Sequence, residues 1–319
     1  MAKSLKVLVT GGAGFIGSNL AHALVSRDHS VTVLDDLSTG DATNLSGLPV
    51  DLIEADLNDV EAVTPAVVAC DAVVHLAARG SVPRSLADPL ATHRANVNGT
   101  LTLLEALRKT PKYLIFSSSS SVYGANQTLP KNEDLWVSPV SPYGASKLAS
   151  ESYVLSYQSS FAIPTLAFRF FNVFGPRQKA DHDYAAVVPK FIWNALNGEP
   201  VIINGDGTQT RDFTYVDTVV DILVQALESR TTSSRPVNLA LGRQESLLKL
   251  IEEIEQVTGL AITPEFGPIR AGDVMHSQND PKELRRLFPV VLEISLLDGV
   301  SRTTQWLKTL QKELLAAKP

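Results

Sequence analysis

Short apolar runs alternate with longer stretches of helically spaced apolar residues through the first half of this chain. Leu5 to Thr10, Val31 to Leu34, Asp51 to Glu54, Ala72 to Leu76, Tyr113 to Ser117 and Thr165 to Phe170 read as strands, several of them near-continuous apolar runs of the kind buried on both faces. Phe15 to Val25, Val60 to Val68, Leu86 to Leu107 and Tyr143 to Ser160 read as helices with an apolar stripe. The alternation predicts an α/β fold, a doubly wound parallel sheet with helices on both faces. Ligands of such sheets bind beyond the carboxyl ends of the strands. Gly11, Asp35, Asp56, Ala77 and Ser119 fall at those ends.

After Phe171 the pattern changes. Pro176, Pro189, Pro200, Gly205 and Gly207 punctuate the chain, and short, mixed elements are expected. Phe213 to Leu227 and Val237 to Leu241 again read as a helix and a strand. The chain is therefore expected to return once to the sheet. The expected division is a Rossmann-type unit, 1–175 plus about 212–243, and a smaller mixed α/β unit, about 176–211 plus 244–319, capping the cleft.

The first strand runs into Gly11, Gly12, Gly14 and Gly17, and these open the first helix. Glycines allow the tight turn and let the backbone approach a pyrophosphate, which then sits on the helix N-terminus. The second strand ends in Asp35 and Asp36, at the distance expected of an acid that binds a ribose 2′-hydroxyl and repels a 2′-phosphate. This order of strand, loop, helix and acid indicates NAD in preference to NADP.

Tyr143 and Lys147 stand four residues apart at the start of a predicted helix and share a face. A phenol ordinarily ionises near pH ~10, and a neighbouring ammonium favours its charged form. On its own the pair is more often a surface feature of any helix than a catalytic one; the cofactor loop upstream reverses that balance.

Composition narrows the classes. The 319 residues are 44% hydrophobic, enough for a substantial core. With a net charge of -6 and no basic cluster, nucleic acid is not an expected partner. Cys70 is the only cysteine, so no internal disulfide forms and a reducing, cytoplasmic setting is expected. No run approaches the ~20 apolar residues of a membrane span, and the first strand begins too early for a signal peptide. The histidines are scattered, with no metal-ligand spacing.

Ordered motifs then accumulate: Thr10 to Ser18, Asp35 to Gly40, His75 to Ala78, Asn96 to Thr100, Ser117 to Gly124, Ser141 to Lys147, Arg169 to Gln178, Gly205 to Gly207, Thr210 to Phe213 and Arg270 to Val274. Together they resemble the extended short-chain dehydrogenase/reductase superfamily, and within it the nucleotide-sugar epimerases of the UDP-galactose 4-epimerase type. The resemblance implies that Gly11, Gly14, Phe15, Ile16 and Gly17 hold the NAD pyrophosphate. It implies Asp35 at the adenosine ribose with Asp36 and Ser38 nearby, Asp56 and Leu57 at the adenine, and Leu76, Ala77 and Ala78 along the cofactor. Lys147 would also bind the nicotinamide ribose. Asn172, Arg211 and Arg270 would hold UDP, with Val188 and Asn204 near uracil and ribose. A homodimer built on the helices of Leu86 to Leu107 and Tyr143 to Ser160 is implied too, although Leu101, Leu104, Leu107, Leu148 and Leu155 could be covered within one chain.

The resemblance further implies that Tyr143 accepts the sugar 4-hydroxyl proton, that C4 is oxidised transiently, and that Ser119 holds the 4-oxygen with Ser121 as helper. Related 4,6-dehydratases and decarboxylases place an acid before the Val-Tyr-Gly; here Ser117 to Ser121 contain none. The segments Arg79 to Ser85, with Ser81 expected near the sugar, and Gly272 to Ser277, with Asp273, resemble those of enzymes acting on UDP-N-acetylglucosamine. Ser277 matches a gate beside the sugar 2-substituent, and a small residue there leaves room for an N-acetyl group. UDP-glucuronate is the alternative substrate, met by Arg79 or Arg84; a non-catalytic NAD-sensing module is the alternative class.

Overall fold

A computed structural model describes residues 4–180, 185–268 and 275–316. Its centre is a seven-stranded parallel sheet. The strands are β1 (Lys6–Thr10), β2 (Ser30–Asp35), β3 (Val50–Glu54), β4 (Ala72–His75), β5 (Tyr113–Ser119), β6 (Thr165–Phe170) and, far later, β11 (Val237–Leu239). Their spatial order is β11-β6-β5-β4-β1-β2-β3. The chain thus builds outward in one direction from β1, then in the other from β4. The crevice between β1 and β4 is the point where a ligand can enter such a sheet.

Alternate side chains divide between two apolar layers. Val7, Val9, Val33, Val74 and Ile115 face the layer made with helices α1 (Phe15–Val25) and α8 (Val216–Ser229). Leu8, Leu34, Val73, Leu114 and Phe116 face α2 (Val60–Ala69), α5 (Gly99–Lys109) and α6 (Pro142–Phe161). Both faces are covered, which is why the inner strands are continuous apolar runs.

The single helix expected over Leu86 to Leu107 is broken. It becomes α3 (Val82–Ala87), α4 (Pro89–His93), a π-helical turn (Arg94–Asn98) and α5. Asp88 is the cause: its carboxylate accepts from Ala91 N at 3.0 Å, and Pro89 starts the new helix. Helix α6 starts the same way, with Ser141 Oγ accepting from Gly144 N at 3.1 Å and Pro142 in the first turn. That cap fixes where Tyr143 and Lys147 point.

The second half holds α7 (Val187–Asn197), α9 (Leu247–Thr258), α10 (Lys282–Leu287) and α11 (Leu296–Ala316), with the small strand pairs β7 (Val173–Phe174)/β10 (Thr214–Tyr215), β9 (Thr210–Arg211)/β12 (Glu245–Ser246) and β8 (Ile202–Asn204)/β13 (Glu265–Gly267). At 21 residues α11 is the longest helix described, against the expectation of short elements. Among the described residues no helix is long and apolar enough to cross a membrane.

Candidate active site

A cleft of about 1530 Å³ lies over the carboxyl ends of the sheet strands. At its floor, Gly11 has φ +70°, and a Cβ there would stand 2.6 Å from Ala77 N. A Cβ on Gly17 would meet Gly11 O at 2.2 Å. Strand β1, the β4 turn and α1 therefore touch backbone to backbone. Gly14 caps α1 with no side chain, so the first-turn N–H groups of the helix face the cleft uncapped.

Asp35 ends β2 with its carboxylate buried. Oδ2 accepts from Ala13 N at 2.9 Å and Oδ1 from Leu37 N at 3.0 Å. Burial raises its pKa, and these backbone donors offset part of the rise. Asp36 is more open; its Oδ1 accepts from Ser38 N at 3.0 Å and Ser38 Oγ at 2.6 Å. Asp56 and Leu57 follow β3, and Leu76, Ala77 and Ala78 follow β4; all line the cleft. Beneath them His75 bridges the sheet to α5, with Nδ1 2.7 Å from Thr10 Oγ1 and Nε2 2.9 Å from Thr100 Oγ1. Burial and the nearby Lys147 push its pKa down to about 3, so the ring is neutral.

Tyr143, Ser119 and Lys147 converge across the cleft from Asp35. The Ser119 hydroxyl stands beside the Tyr143 phenol, and its Oγ accepts from Ser121 N at 3.1 Å. Burial pushes the Tyr143 pKa up, and the Ser119 hydroxyl pulls against it. The Lys147 ammonium lies 5.0 Å over the Phe116 ring. Burial lowers the Lys147 pKa to about 8, with Glu151 opposing. The cleft's acids are Asp35, Asp36, Asp41 and Asp56 among the described residues, and the serine run Ser117 to Ser121 brings none beside Tyr143.

Every residue expected at the cofactor lines this cleft, as do Ser81, Ser119, Ser121 and Asn172. Ser81 sits at φ 92°, a left-handed strain for a non-glycine residue. Val188, Asn204, Arg211 and Ser277 do not line it. Val188 is packed into the apolar core. Asn204 ends β8 against Gly267. The Arg211 guanidinium donates to the carbonyls of Thr210 and Met275, at 2.9 and 3.2 Å. Ser277 N donates to Thr210 O at 3.1 Å. Arg270 and Asp273 lie outside the described residues. Asn96, which belongs to one of the sequence motifs but has no role assigned from sequence, lies in the π-helical turn; its Oδ1 accepts from Arg79 N at 2.7 Å and its Nδ2 donates to Ser146 Oγ at 2.9 Å. That side chain ties the Arg79 loop to the helix carrying Tyr143. A π-turn, which often marks such sites, leaves no pattern in sequence.

Residues 7–240 match the model of the NAD dependent epimerase/dehydratase family. The chain belongs to this family. It is 36% identical to the UDP-glucose 4-epimerase of Mycolicibacterium smegmatis over 315 residues, covering 95% of this chain and 99% of that one. Among solved structures it is similar to the UDP-N-acetylglucosamine 4-epimerase of Methanobrevibacter ruminantium in complex with UDP-N-acetylmuramic acid (38% identity, TM-score 0.92, 97% and 99% of the two chains). It is also similar to the UDP-glucuronic acid 4-epimerase of Bacillus cereus in complex with UDP-glucuronic acid and NAD (32% identity, TM-score 0.88, 96% and 99%). An epimerase of this family is an isomerase that depends on NAD. The residues present fit that cofactor: an uncapped helix N-terminus behind a glycine floor that no Cβ could share, and a buried carboxylate at the end of β2.

Proposed function

We propose that this chain is a UDP-hexose 4-epimerase that interconverts UDP-N-acetylglucosamine and UDP-N-acetylgalactosamine, and accepts UDP-glucose and UDP-galactose alongside them. The observation that carries the reading is that Ser119, Tyr143 and Lys147 together line a part of the cleft where the serine run brings no carboxylate. Elimination and decarboxylation need an acid there; epimerisation does not. NAD binds in the unit 1–175 plus 212–243, on Gly11, Gly14, Phe15, Ile16 and Gly17 with Asp35 at the ribose, and UDP-sugar against 176–211 plus 244–319. Held there, NAD supplies a reversible acceptor for the hydrogen that leaves C4.

The protein's residues handle the proton and the orientation. Tyr143 oxygen accepts the 4-hydroxyl proton and returns it after the 4-keto sugar has turned over. Ser119 Oγ steadies the 4-oxygen through both halves. Burial makes phenolate formation costly, so Ser119 and the Lys147 charge must favour it when the substrate closes the cleft. Asn172 lines the cleft and would meet the diphosphate; the family resemblance gives Arg211 and Arg270 to the same group and Ser277 to the sugar 2-position, which requires the segments of Arg211 and Ser277, off the cleft in this structure, to close on the substrate.

One observation favours UDP-glucuronate as a second substrate: Arg79, whose Nη2 stands 3.6 Å from Asp88 Oδ2, and Arg84 both line the cleft, where a guanidinium would meet a C6 carboxylate. Purified protein given UDP-N-acetylglucosamine, UDP-glucose or UDP-glucuronate without added NAD, then analysed by chromatography, tests both. The acetylated sugar should convert; failure of that sugar alone sinks the N-acetyl reading, and conversion of none sinks the epimerase reading. A cytoplasmic homodimer is part of the proposal. Leu104 and Leu107 are buried within the chain, but Leu86, Leu90, Tyr153 and Phe161 are exposed on the same group of helices. Light scattering at the monomer mass would refute the dimer.

A further inference from the structure

One helical turn beyond Lys147, α6 carries a second buried charge. Glu151 is 3% exposed, Lys147 3% and Arg169, on the neighbouring strand β6, 4%. Arg169 grips the carboxylate with both arms of its fork: Nη2 donates to Oε1 at 2.6 Å and Nε to Oε2 at 3.0 Å. Its third arm is fixed as well. Nη1 donates to the Tyr123 hydroxyl oxygen at 3.0 Å, the guanidinium lies 4.9 Å over the Tyr123 ring, and that hydroxyl donates to Asn238 Oδ1 at 2.8 Å. The carboxylate therefore cannot swing away. A buried ion pair is a costly way to fill a core, because desolvation commonly exceeds the Coulombic return and apolar residues of the same volume do as well or better. Its place beside the cleft calls for a function beyond packing.

We propose that Glu151, clamped by Arg169, is a positioning residue that serves as the fixed counter-charge of the Lys147 ammonium. This rests on the reading of Lys147 as the cation that works beside Tyr143. The groups facing Lys147 support it. On α6 Glu151 follows Lys147 by one helical turn, as Tyr143 precedes it; on β4 stands the neutral His75, and on β5 the ring of Phe116. Glu151 is the one anion in the set. Burial lowers the Lys147 pKa to about 8, and Glu151 is what resists further loss. Take Glu151 away and two buried cations remain with no anion between them.

The two partners then have opposite effects on one measurement. Epimerisation by the NAD-loaded enzyme is followed from about pH 6 to about pH 10, where the alkaline limb reports loss of the Lys147 proton. Glu151→Gln should move that limb down by about one pH unit or more, since the anion goes and Arg169 stays. Arg169→Gln should move it up, since the whole carboxylate field is left to Lys147. The double neutral variant should fall between. A role in packing alone would lower activity or Tm with the limb unmoved, or moved the same way in both; either result overturns the proposal. Should the neutral variants fail to fold, Glu151→Asp keeps the charge and withdraws it by one methylene, and an unmoved limb there counts against the proposal. Lys147→Ala separates the two levels. If it retains turnover, the reading of Lys147 is wrong. If it is inactive while the charge variants leave the limb in place, the counter-charge alone is wrong.

Discussion

Gly11→Ala is the sharpest test of how the cleft floor is built. Two separate penalties meet at this position. The backbone holds φ +70°, and the new methyl would lie 2.6, 2.7 and 2.9 Å from Ala77 N, Ala77 Cα and Leu76 C, all backbone atoms that cannot rotate aside. The left-handed conformation costs an L-residue about 1–2 kcal/mol. Forcing a methyl between β1 and the β4 turn adds about 1–3 kcal/mol. Unfolding entropy of about 2.1 cal/mol/K per residue over 319 residues makes each kcal/mol worth about 1.5 °C, so Tm should fall by about 3–8 °C. Gly259→Ala is the control. Gly259 caps α9 at φ +72° with nothing within 4 Å of its Cβ, so it carries the backbone penalty alone. It should lose about 2–3 °C and keep its NAD, whereas Gly11→Ala should also shed NAD because Ala77 is pushed into the cleft. Calorimetry and the absorbance of cofactor released on denaturation measure both. Equal losses in the two variants, with NAD retained in both, would refute the steric account.

Tyr143→Phe should fold, bind NAD and lose about 10²–10⁴-fold in turnover, as removal of a positioned proton acceptor does; near-full activity would remove Tyr143 from the mechanism. Ser277→Tyr should abolish turnover of acetylated sugars and spare UDP-glucose, and equal loss of both counts against the gate. Asp212 is buried with Oδ2 accepting from Gly242 N at 2.9 Å and Asn279 N at 3.0 Å, and burial lifts its pKa to about 6. Its raised value means the folded state holds the proton better, so this residue's contribution is present below the unfolded pKa near ~4 and lost as pH rises through about 6. Asp212→Asn should remove up to about 3 kcal/mol of that slope, seen by denaturant unfolding at the two ends of the window; an unchanged slope would show that the carboxylate is ionised throughout.

The sheet and the cofactor side of the site are legible in the sequence for a local reason. A strand buried on both faces is a continuous apolar run, and the residues that follow it sit at the cleft whatever the rest of the chain does. Gly11, Asp35, Asp56 and Ala77 inherit their positions from β1 to β4 in this way. The sugar side depends on how distant loops dock. Arg211 and Ser277 are brought together through pairings such as Ser277 N to Thr210 O at 3.1 Å, which no local pattern encodes. The helices of the second half were open to the same periodicity argument. In α9, Leu247, Leu250, Ile251 and Ile254 are buried at helical spacing, but proline and glycine mark where elements end, not how long they run.

The late arrival of β11 has a consequence for how the molecule is made. Strand β6 pairs with β5 on one side and with β11 on the other, through Phe168–Val237, Arg169–Asn238 and Phe170–Leu239. Between β6 and β11 the chain runs through the excursion that carries β7, α7, β8, β9, β10 and α8. During synthesis the β6 edge waits, open and apolar, until that excursion has left the ribosome. A product stopped near residue 175 would keep that edge bare, and open strand edges recruit other chains. Fragments ending there should aggregate, whereas the full chain, in which β11 covers that edge, should stay in the soluble fraction.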